Sequence, residues 1–280
     1  MSSKEQFTLA ALQLAPAAKT KSTVTLIESL IGSIAATTKP DCIVLPEYAF
    51  GTLRDWNDPK RDADRELKRI QTALGALCRR QKVNMVAGSV PTQTPEKRWR
   101  NRSHLFAADG SIVGSYDKQH PFRSEKLMGL EPGDRTPTFE VSGLRLAILI
   151  CSDLWFPDII RQVAPEVDFV AVPTMTTVLD KDHTSYGRWT WHTLVEIRAK
   201  ENVMPIVSAD QLTREYLPGV YTCGASCVAD PSYRFTADEG PHSQALRVAM
   251  QEKPTAVITT ISKEAIRAYR EYRRDIGLFE

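Results

Sequence analysis

The chain has 280 residues, of which 42% are hydrophobic and 25% are charged, and its formal net charge is +2. These are the proportions of an ordinary globular protein, and a charge so close to zero gives no sign of a nucleic-acid or membrane partner. No apolar run approaches the roughly 20 residues that a membrane-spanning helix needs. We expect a cytoplasmic protein with a single domain over residues 1–280, since no linker divides the sequence.

The cysteines give no sign of a disulfide framework. Five is an odd number and few for this length, which favours a reducing compartment. Cys223 and Cys227 stand four apart, but no second pair with zinc-like spacing accompanies them. We interpret both as structural, with metal binding as the lesser alternative, and expect neither a metal nor a cofactor.

Apolar runs alternate with segments of helical periodicity, which indicates an α/β fold. Residues 144–150 are largely apolar on both faces of a strand, so that strand needs cover on both sides. In chain order the pattern predicts strand Phe7–Leu14, helix Lys21–Thr38, strand Asp41–Pro46, helix Asp62–Lys82, strand Val83–Val90, strands His104–Ala107 and Ser111–Tyr116 as a hairpin, strand Leu144–Ile150, helix Pro157–Ala164, strand Val167–Val172, helix Thr190–Glu201, strands Val203–Ser208, Ala225–Ala229 and Thr255–Ile261, and helix Ser262–Arg274.

The last predicted helix is polar and strongly basic. Its arginines are Arg267, Arg270, Arg273 and Arg274. Such a face is either solvated or part of an interface. We interpret residues 262–280 as a helical tail used in oligomerisation.

Cys151 ends an apolar strand and precedes a turn that leads into a helix. A residue at such a turn exposes its side chain at the sheet edge, and the N–H groups that follow point at whatever it attacks. This geometry is expected to lower the pKa of the thiol and to provide an oxyanion hole. Taken alone, Cys151 would more often be a small core residue, because free cysteine is among the most buried residue types.

Glu47 and Lys118 also stand at predicted strand ends. Either residue alone would more often be a solvated surface charge. Together with Cys151 they place a carboxylate, an ammonium and a thiol at the strand ends where ligands bind in α/β sheets. Glu47 can take the proton of the thiol, and Lys118 with the Ser152 N–H can hold the charge that develops on oxygen.

The segments around these residues resemble those of the nitrilase, or carbon–nitrogen hydrolase, superfamily. The match extends over nearly the whole chain and keeps the order of three motifs. Leu45-Pro-Glu47 is similar to the catalytic-glutamate segment and Asp117-Lys118 to the catalytic-lysine segment. Cys151, with the residues that flank it, is similar to the nucleophile segment.

The resemblance implies an α-β-β-α four-layer sandwich that forms a homodimer or a larger homo-oligomer. It also implies that Cys151 attacks the substrate carbon, that Glu47 acts first as base and then as acid, and that Lys118 stabilises the oxyanion. Glu125 resembles the second glutamate with which many members position the substrate, and Glu131 is the competing candidate.

The predicted reaction is release of ammonia or an amine from a small carboxamide through a thioester. N-carbamoyl compounds and nitriles can use the same triad, so their hydrolysis is the alternative. Ser152 stands where tyrosine or tryptophan is frequent, which argues mildly against a nitrilase. A silent scaffold of the same fold is the non-enzyme alternative. Together with Glu125, the candidates for positioning the substrate are Ser152, Tyr48 and Trp155, although the two aromatic residues fit a plain core equally well.

Overall fold

The structure is a computed structural model that describes residues 4–17, 19–56, 58, 62–232, 246–249 and 252–279. The strands in these ranges are β1 (Gln6–Gln13), β2 (Cys42–Val44), β3 (Asn84–Val86), β4 (Val90–Gln93), β5 (Trp99–Phe106), β6 (Ile112–Asp117), β7 (Thr138–Val141), β8 (Leu144–Ile148), β9 (Phe169–Pro173), β10 (Thr177–Val178), β11 (Ile206–Ala209), β12 (Arg214–Leu217), β13 (Val220–Thr222), β14 (Cys227–Ala229), β15 (Leu246–Val248) and β16 (Thr255–Ser262). The helices are α1 (Thr20–Ala35), α2 (Leu53–Trp56), α3 (Ala63–Gln81), α4 (Arg123–Leu127), α5 (Pro157–Val163), α6 (Thr184–Asn202) and α7 (Lys263–Asp275).

The described strands form two large sheets and a small one. The first large sheet has seven strands in the order β16-β1-β2-β3-β5-β4, with β6 paired to β5. The second has six, in the order β15-β14-β11-β9-β8-β7, and its centre is parallel. The small sheet, β10-β13-β12, lies outside both. The parallel strands β2, β8, β9 and β11 point their carboxyl ends toward the residues discussed below.

Alternating side chains of β1 belong to different cores. Phe7, Leu9 and Ala11 belong to the core that joins the two large sheets and also contains residues of α5 and α6. Ala10 and Leu12 lie in the core beneath α1 and α3. Since successive side chains of a strand point to opposite faces, the first sheet is covered on both sides. The layers are therefore helix, sheet, sheet and helix, which confirms the predicted α-β-β-α sandwich.

Local sequence sets the limits of the helices. At α3, the Asp62 carboxylate accepts a hydrogen bond from the Arg65 N–H at 3.0 Å, and Lys82 ends the helix with a φ of 51°. These are an N-cap and a left-handed C-cap, and they lie at the boundaries of the predicted helix. The helix α6 begins at Thr184 rather than Thr190.

The strand predicted over Val83–Val90 is interrupted: β3 ends at Val86, and Val90 begins the next strand, β4, which pairs with the same neighbour, β5. The chain bends between them at Gly88, whose φ is +68°. A Cβ on Gly88 would lie 2.2 Å from the carbonyl oxygen of Pro46. The bend allows the segment that carries Glu47 to pass close by, and it brings Ser89 into a bridge with Glu47.

The arginines of α7 bind the same chain. Arg270 donates to the Val203 carbonyl oxygen at 3.2 Å and Arg273 to that of Lys200 at 3.1 Å, both at the end of α6. Cations satisfy the exposed carbonyl groups of a helix C-terminus well. Use of residues 262–280 in oligomerisation stays a prediction, and Glu280 lies outside the described residues. No helix in the described ranges is both long and apolar enough to cross a bilayer.

Candidate active site

Glu47, Lys118 and Cys151 each lie just beyond the end of a strand. Glu47 follows β2, Lys118 follows β6 and Cys151 follows β8. The residue after Glu47, Tyr48, has a φ of 55°, and Cys151 has a φ of 45°. Residues other than glycine rarely adopt positive φ, and such strain is concentrated at functional sites. The chain therefore turns sharply at Cys151 and directly after Glu47.

A buried lysine holds two glutamates together at the centre of the site. The Nζ atom of Lys118 lies 2.7 Å from Oε1 of Glu47 and 2.8 Å from Oε2 of Glu125. All three side chains are at most 3% exposed. Tyr48 donates its hydroxyl to Glu125 at 2.5 Å. Buried charges are tolerated only when paired and hydrogen-bonded, and here each one is.

Cys151 lies beside this cluster and is half-buried. Its thiol lies close enough to the side chain of Glu47 for each group to influence the pKa of the other. Its Sγ atom lies 3.7 Å from the carbonyl oxygen of Met175. A nucleophile beside a candidate base is the arrangement that covalent catalysis requires.

The two glutamates differ in acidity. Burial raises the pKa of Glu47 to about 7, against the opposing charge of Lys118 and with a further upward contribution from Glu125. Burial also disfavours ionised Glu125, but Lys118 and the Tyr48 hydroxyl bring the pKa of Glu125 below its ordinary value. At neutral pH Glu125 is therefore the fixed anion, whereas Glu47 can gain or lose a proton.

Burial disfavours the charged form of Lys118, but Glu47 and Glu125 outweigh it and raise the lysine pKa. Lys118 is therefore a permanent cation. For Cys151 the expectation of a lowered pKa is wrong. Burial and the carboxylate of Glu47 raise the thiol pKa well above its ordinary value, more than Lys118 lowers it. The turn after Cys151 is a short 3₁₀ helix, Cys151–Trp155, whose N-terminus does not offset the desolvation.

Asp153 fastens the cysteine turn to the lysine segment. Its Oδ2 accepts the Ile150 N–H at 2.9 Å and the Tyr116 hydroxyl at 2.7 Å. Its Oδ1 accepts the His120 N–H at 2.8 Å. The Ser152 hydroxyl adds a bond to the His120 carbonyl oxygen at 2.6 Å. The turns that carry Cys151 and Lys118 are thus joined by three of these hydrogen bonds, from Tyr116, His120 and Ser152, while the bond from Ile150 closes the cysteine turn itself.

The remaining candidates differ in their placement. Glu131 is on the surface, where its side chain lies 3.5 Å from Arg98, so Glu125 is the glutamate at the lysine. Tyr48 is buried in the cluster. Ser152 follows Cys151, and its hydroxyl donates to the carbonyl oxygen of His120. Trp155 is 50% exposed, and no described contact joins its side chain to the cluster.

Two buried amides in the site were not predicted as site residues. Asn101 on β5 donates to Oε1 of Glu47 at 2.8 Å and to Oε1 of Glu125 at 2.7 Å. Gln211 follows β11, and its Nε2 donates to the Glu47 carbonyl oxygen at 3.0 Å. A polar side chain inside a strand is a signal that could have identified Asn101. Gln211 lies outside its strand and carries no such signal.

Among the residues whose positions are described, no group of three or more His, Cys, Asp or Glu side chains is arranged to hold a metal ion. All five cysteines have free thiols, and those of Cys223 and Cys227 are buried. The structural interpretation of these two residues fits this burial.

Comparison with known proteins identifies the class. The family model described as carbon-nitrogen hydrolase matches residues 8–271. The 2-oxoglutaramate amidase of Bacillus subtilis is 27% identical over 238 residues, which cover 84% of this chain and 86% of that one. The N-carbamoylputrescine amidase of Arabidopsis thaliana is 28% identical over 161 residues, or 53% of this chain and 54% of that one. The crystal structure of a Helicobacter pylori carbon-nitrogen hydrolase superposes with a TM-score of 0.81 at 19% identity, covering 98% of this chain and 94% of the other.

The chain therefore belongs to the carbon–nitrogen hydrolase family. It is an enzyme of the class that hydrolyses carbon–nitrogen bonds, and the two relatives from Bacillus subtilis and Arabidopsis thaliana are amidases. The predicted family, fold and enzyme class are confirmed.

Proposed function

We propose that this protein is a cysteine-dependent amidase that hydrolyses a small carboxamide through a thioester. The observation that carries the proposal is the cluster in which Lys118 contacts Glu47 and Glu125, with the Cys151 thiol near enough to feel the charge of both Glu47 and Lys118. A buried carboxyl that titrates near pH 7 is suited to exchange protons with both a thiol and a leaving amine.

In the first half-reaction, ionised Glu47 takes the thiol proton as Sγ of Cys151 attacks the carbonyl carbon of the amide. The oxygen of the tetrahedral intermediate becomes negative, and Lys118 with the Ser152 N–H stabilises it. Collapse of the intermediate breaks the carbon–nitrogen bond. Protonated Glu47 gives its proton to the departing nitrogen, which leaves as ammonia or an amine, and a thioester remains.

In the second half-reaction Glu47 takes a proton from a water molecule, whose oxygen attacks the thioester carbon. Collapse of this intermediate expels the sulfur of Cys151, to which Glu47 returns the proton, and releases the carboxylic acid. Glu125 keeps its negative charge throughout. Its role is to fix Lys118 and to accept a hydrogen bond from the amide nitrogen of the substrate, which is why we favour Glu125 over Glu131 as the second glutamate.

The chemistry of the cluster also serves N-carbamoyl compounds, which are the second candidate because one matched relative carries that name. The named substrates of the relatives differ in the charge at the far end of the molecule. 2-Oxoglutaramate ends in a carboxylate, whereas N-carbamoylputrescine ends in an amine. The far end of the pocket must therefore decide the substrate.

We further propose a cytoplasmic homodimer. The five free thiols support a reducing compartment. The outer face of α6 supports the dimer, because Tyr186 is 65% exposed and Trp189 62% exposed, with ring centroids 6.0 Å apart. Neighbouring aromatic side chains exposed on one helix are typical of protein interfaces.

The test is ammonia release from a panel of small amides, N-carbamoyl amines and nitriles by the wild type and by Cys151→Ala. We expect the variant to lose all turnover while keeping the circular dichroism spectrum of the wild type. Cys78→Ala, which removes a buried thiol of α3 far from the cluster, is the control and should retain activity. Turnover by Cys151→Ala at the wild-type rate would refute the mechanism.

A further inference from the structure

Arg214 on β12 lies one side chain away from the catalytic cluster. Its Nη2 donates to Oε1 of Gln211 at 3.3 Å. The Nε2 of the same amide contacts the carbonyl oxygen of Glu47 at 3.0 Å and the sulfur of Met175 at 3.4 Å. Met175 in turn offers its carbonyl oxygen to Cys151. The side-chain amide of Gln211 therefore lies between the guanidinium of Arg214 and the main chain of Glu47 and Met175.

The hairpin of β12 and β13 holds Arg214 in this place. Tyr216, two residues further along the strand, lies on the same face, with its ring centroid 6.0 Å from the guanidinium. Its hydroxyl accepts a hydrogen bond from the Leu53 N–H at 3.2 Å. Leu53 belongs to a small apolar cluster with Tyr48, against which Met175 packs. The hairpin is thereby attached to the wall of the site.

Arg214 differs from the other partly buried arginines of the described chain. Each of those donates to a carboxylate or a main-chain carbonyl: Arg100 to Asp134, Arg102 to Asp117, Arg188 to Cys223, Arg198 to Glu201, Arg270 to Val203 and Arg273 to Lys200. Arg214 instead donates to the neutral amide oxygen of Gln211. Its buried Nε has no hydrogen-bond partner within the described part of the chain, as is also true of Arg100, Arg270 and Arg273, but those three have a carboxylate or a main-chain carbonyl as acceptor elsewhere on the guanidinium.

The charge of Arg214 is also poorly compensated. Burial lowers the pKa of its guanidinium, with Tyr216 and Asp55 opposing the shift from a distance. One carboxylate oxygen of Asp55 accepts hydrogen bonds from the Thr52 N–H and hydroxyl at 2.7 and 2.8 Å, and in the described part of the chain no direct ion pair joins Asp55 to Arg214. A half-buried cation with an unused donor recovers the most free energy when an anion binds beside it.

We infer that Arg214 binds a carboxylate at the end of the substrate remote from the scissile amide. This inference rests on the proposed amidase function and narrows it to monoamides of dicarboxylic acids. A guanidinium presents a rigid planar fork that matches a carboxylate, which makes it selective as well as attractive. A substrate ending in an ammonium group would meet repulsion at the same place. Arg123, five residues after Lys118, is exposed on α4.

The inference predicts how the charge of the substrate affects catalysis. Wild-type protein should prefer succinamate, which is anionic, over succinamide, its neutral diamide, and over 4-aminobutanamide, which is cationic. Arg214→Gln should lower kcat/KM for succinamate by about 10- to 100-fold, mainly through KM, because a charged hydrogen bond is lost from the bound substrate in both ground and transition states. Turnover of succinamide should change less than about threefold, since it makes no charged contact there.

Two further variants separate recognition from folding. Arg214→Lys keeps the charge without the fork and should restore part of the preference for succinamate. Arg80→Gln removes a surface arginine that pairs with Glu28 on the opposite side of the sheet and should change nothing. A parallel loss of activity toward succinamate and succinamide in Arg214→Gln would overturn the inference, because it would mark Arg214 as structural.

Binding measured without turnover keeps this test independent of the amidase assignment. Calorimetry with Cys151→Ala should show tighter binding of succinamate than of succinamide, and the double variant Cys151→Ala/Arg214→Gln should lose that difference. Equal affinities in Cys151→Ala would overturn the inference. If the affinities differ as expected but the wild type releases no ammonia from any amide, the proposed function fails and the assignment of Arg214 as an anion site stands.

Discussion

Two carboxylates share one ammonium group in this site, and they share it unequally. Glu125 receives hydrogen bonds from Lys118, Tyr48 and Asn101, which stabilise its ionised form. Glu47 also accepts hydrogen bonds from Lys118 and Asn101 but has none from Tyr48. Burial, with a further contribution from the charge of Glu125, raises its pKa to about 7. The environments thus separate the functions of two chemically identical side chains, with one as a fixed anion and the other as a proton carrier.

The pKa of Glu47 predicts the pH dependence of the rate. Attack requires ionised Glu47, so kcat/KM should rise with pH and then level off. The midpoint of the rise should lie near pH 7. Lys118 should add no falling limb in the accessible range, because its pKa is raised. The profile for a neutral amide can be measured by ammonia release between pH 5 and 9 at constant ionic strength. A rate independent of pH across this interval would contradict the assignment of Glu47 as the base.

The raised pKa of Glu47 also predicts that the difference in stability between the wild type and Glu47→Gln depends on pH. The folded pKa of Glu47 lies above the ordinary value of 4.5, so the folded state holds its proton more tightly than the unfolded state does. The contribution of this group to stability is therefore complete below about pH 4.5 and is lost as the pH rises through about 7. Relative to the wild type, Glu47→Gln should gain stability over this window. Urea unfolding at pH 5 and pH 8 measures the difference, and an unchanged difference would contradict it.

At the scale of the element, the site depends on two turns joined side to side. Asp153 offers only acceptors, and the main chain of Ile150 and His120 together with Tyr116 supplies donors to both of its oxygens. An amide in its place would direct an NH₂ group at one of these pairs of donors. The turns of Cys151 and Lys118 would then separate.

We expect Asp153→Asn to lower the free energy of unfolding by about 1–3 kcal/mol, because one buried pair of donors loses its acceptor. Its kcat should fall more than its KM rises, since the reacting groups are misplaced while the walls of the pocket persist. Asp109→Asn is the matched control, because Asp109 also accepts an N–H and a hydroxyl from Ser111 but in an exposed turn. Equal effects of the two substitutions would rule out a special role for Asp153.

The strand ends could be predicted because they are local features. Apolar runs that stop at Pro46 or before Cys151 can be read from the sequence, and the motif order then indicates the family. The hairpin of β12 and β13 was missed because its strands are short, and β12 mixes polar and apolar side chains without clear alternation. The low acidity of Cys151 was missed because it depends on burial beside Glu47, which only tertiary structure determines.

The break at Gly88 shows a second limit of sequence patterns. An apolar run over residues 83–90 predicts one strand, whereas β3 ends at Val86 and β4 begins only at Val90, although both pair with β5. The bend arises from the close approach of the Pro46 carbonyl group in a distant segment. The hydrophobic pattern within residues 83–90 cannot predict a bend that is caused by contact with a distant part of the chain.

At the scale of the whole molecule, the arrangement of layers leaves one helical face of α6 with exposed aromatic side chains. Tyr186 and Trp189 are both more than 60% exposed on that face. The opposite stripe of the helix, which includes Trp191 and Leu194, is buried against the second sheet. A helix with one buried stripe and one exposed aromatic stripe is consistent with a partner on the outer side.

We expect the protein to sediment as a dimer and Trp189→Glu to shift it to the monomer. A charge placed at the centre of an aromatic interface is desolvated without a partner, which weakens association strongly. Ile112→Glu, at another exposed apolar position, should leave the dimer intact. Sedimentation velocity over a range of concentrations measures both variants. A wild type that stays monomeric at every concentration would exclude this interface.

The residues of the proposed triad come from both large sheets. Glu47 and Lys118 follow strands of the seven-stranded sheet and Cys151 follows one of the six-stranded sheet, while the Glu47 N–H crosses between the sheets to the Thr174 carbonyl oxygen at 3.1 Å. Sliding one layer over the other by about 1 Å would move the base away from its nucleophile, although every ladder within each layer would survive. The rate of ammonia release therefore depends on how the two sheets are aligned. A variant that shifts one sheet can lose activity while its far-ultraviolet circular dichroism spectrum still shows a folded protein.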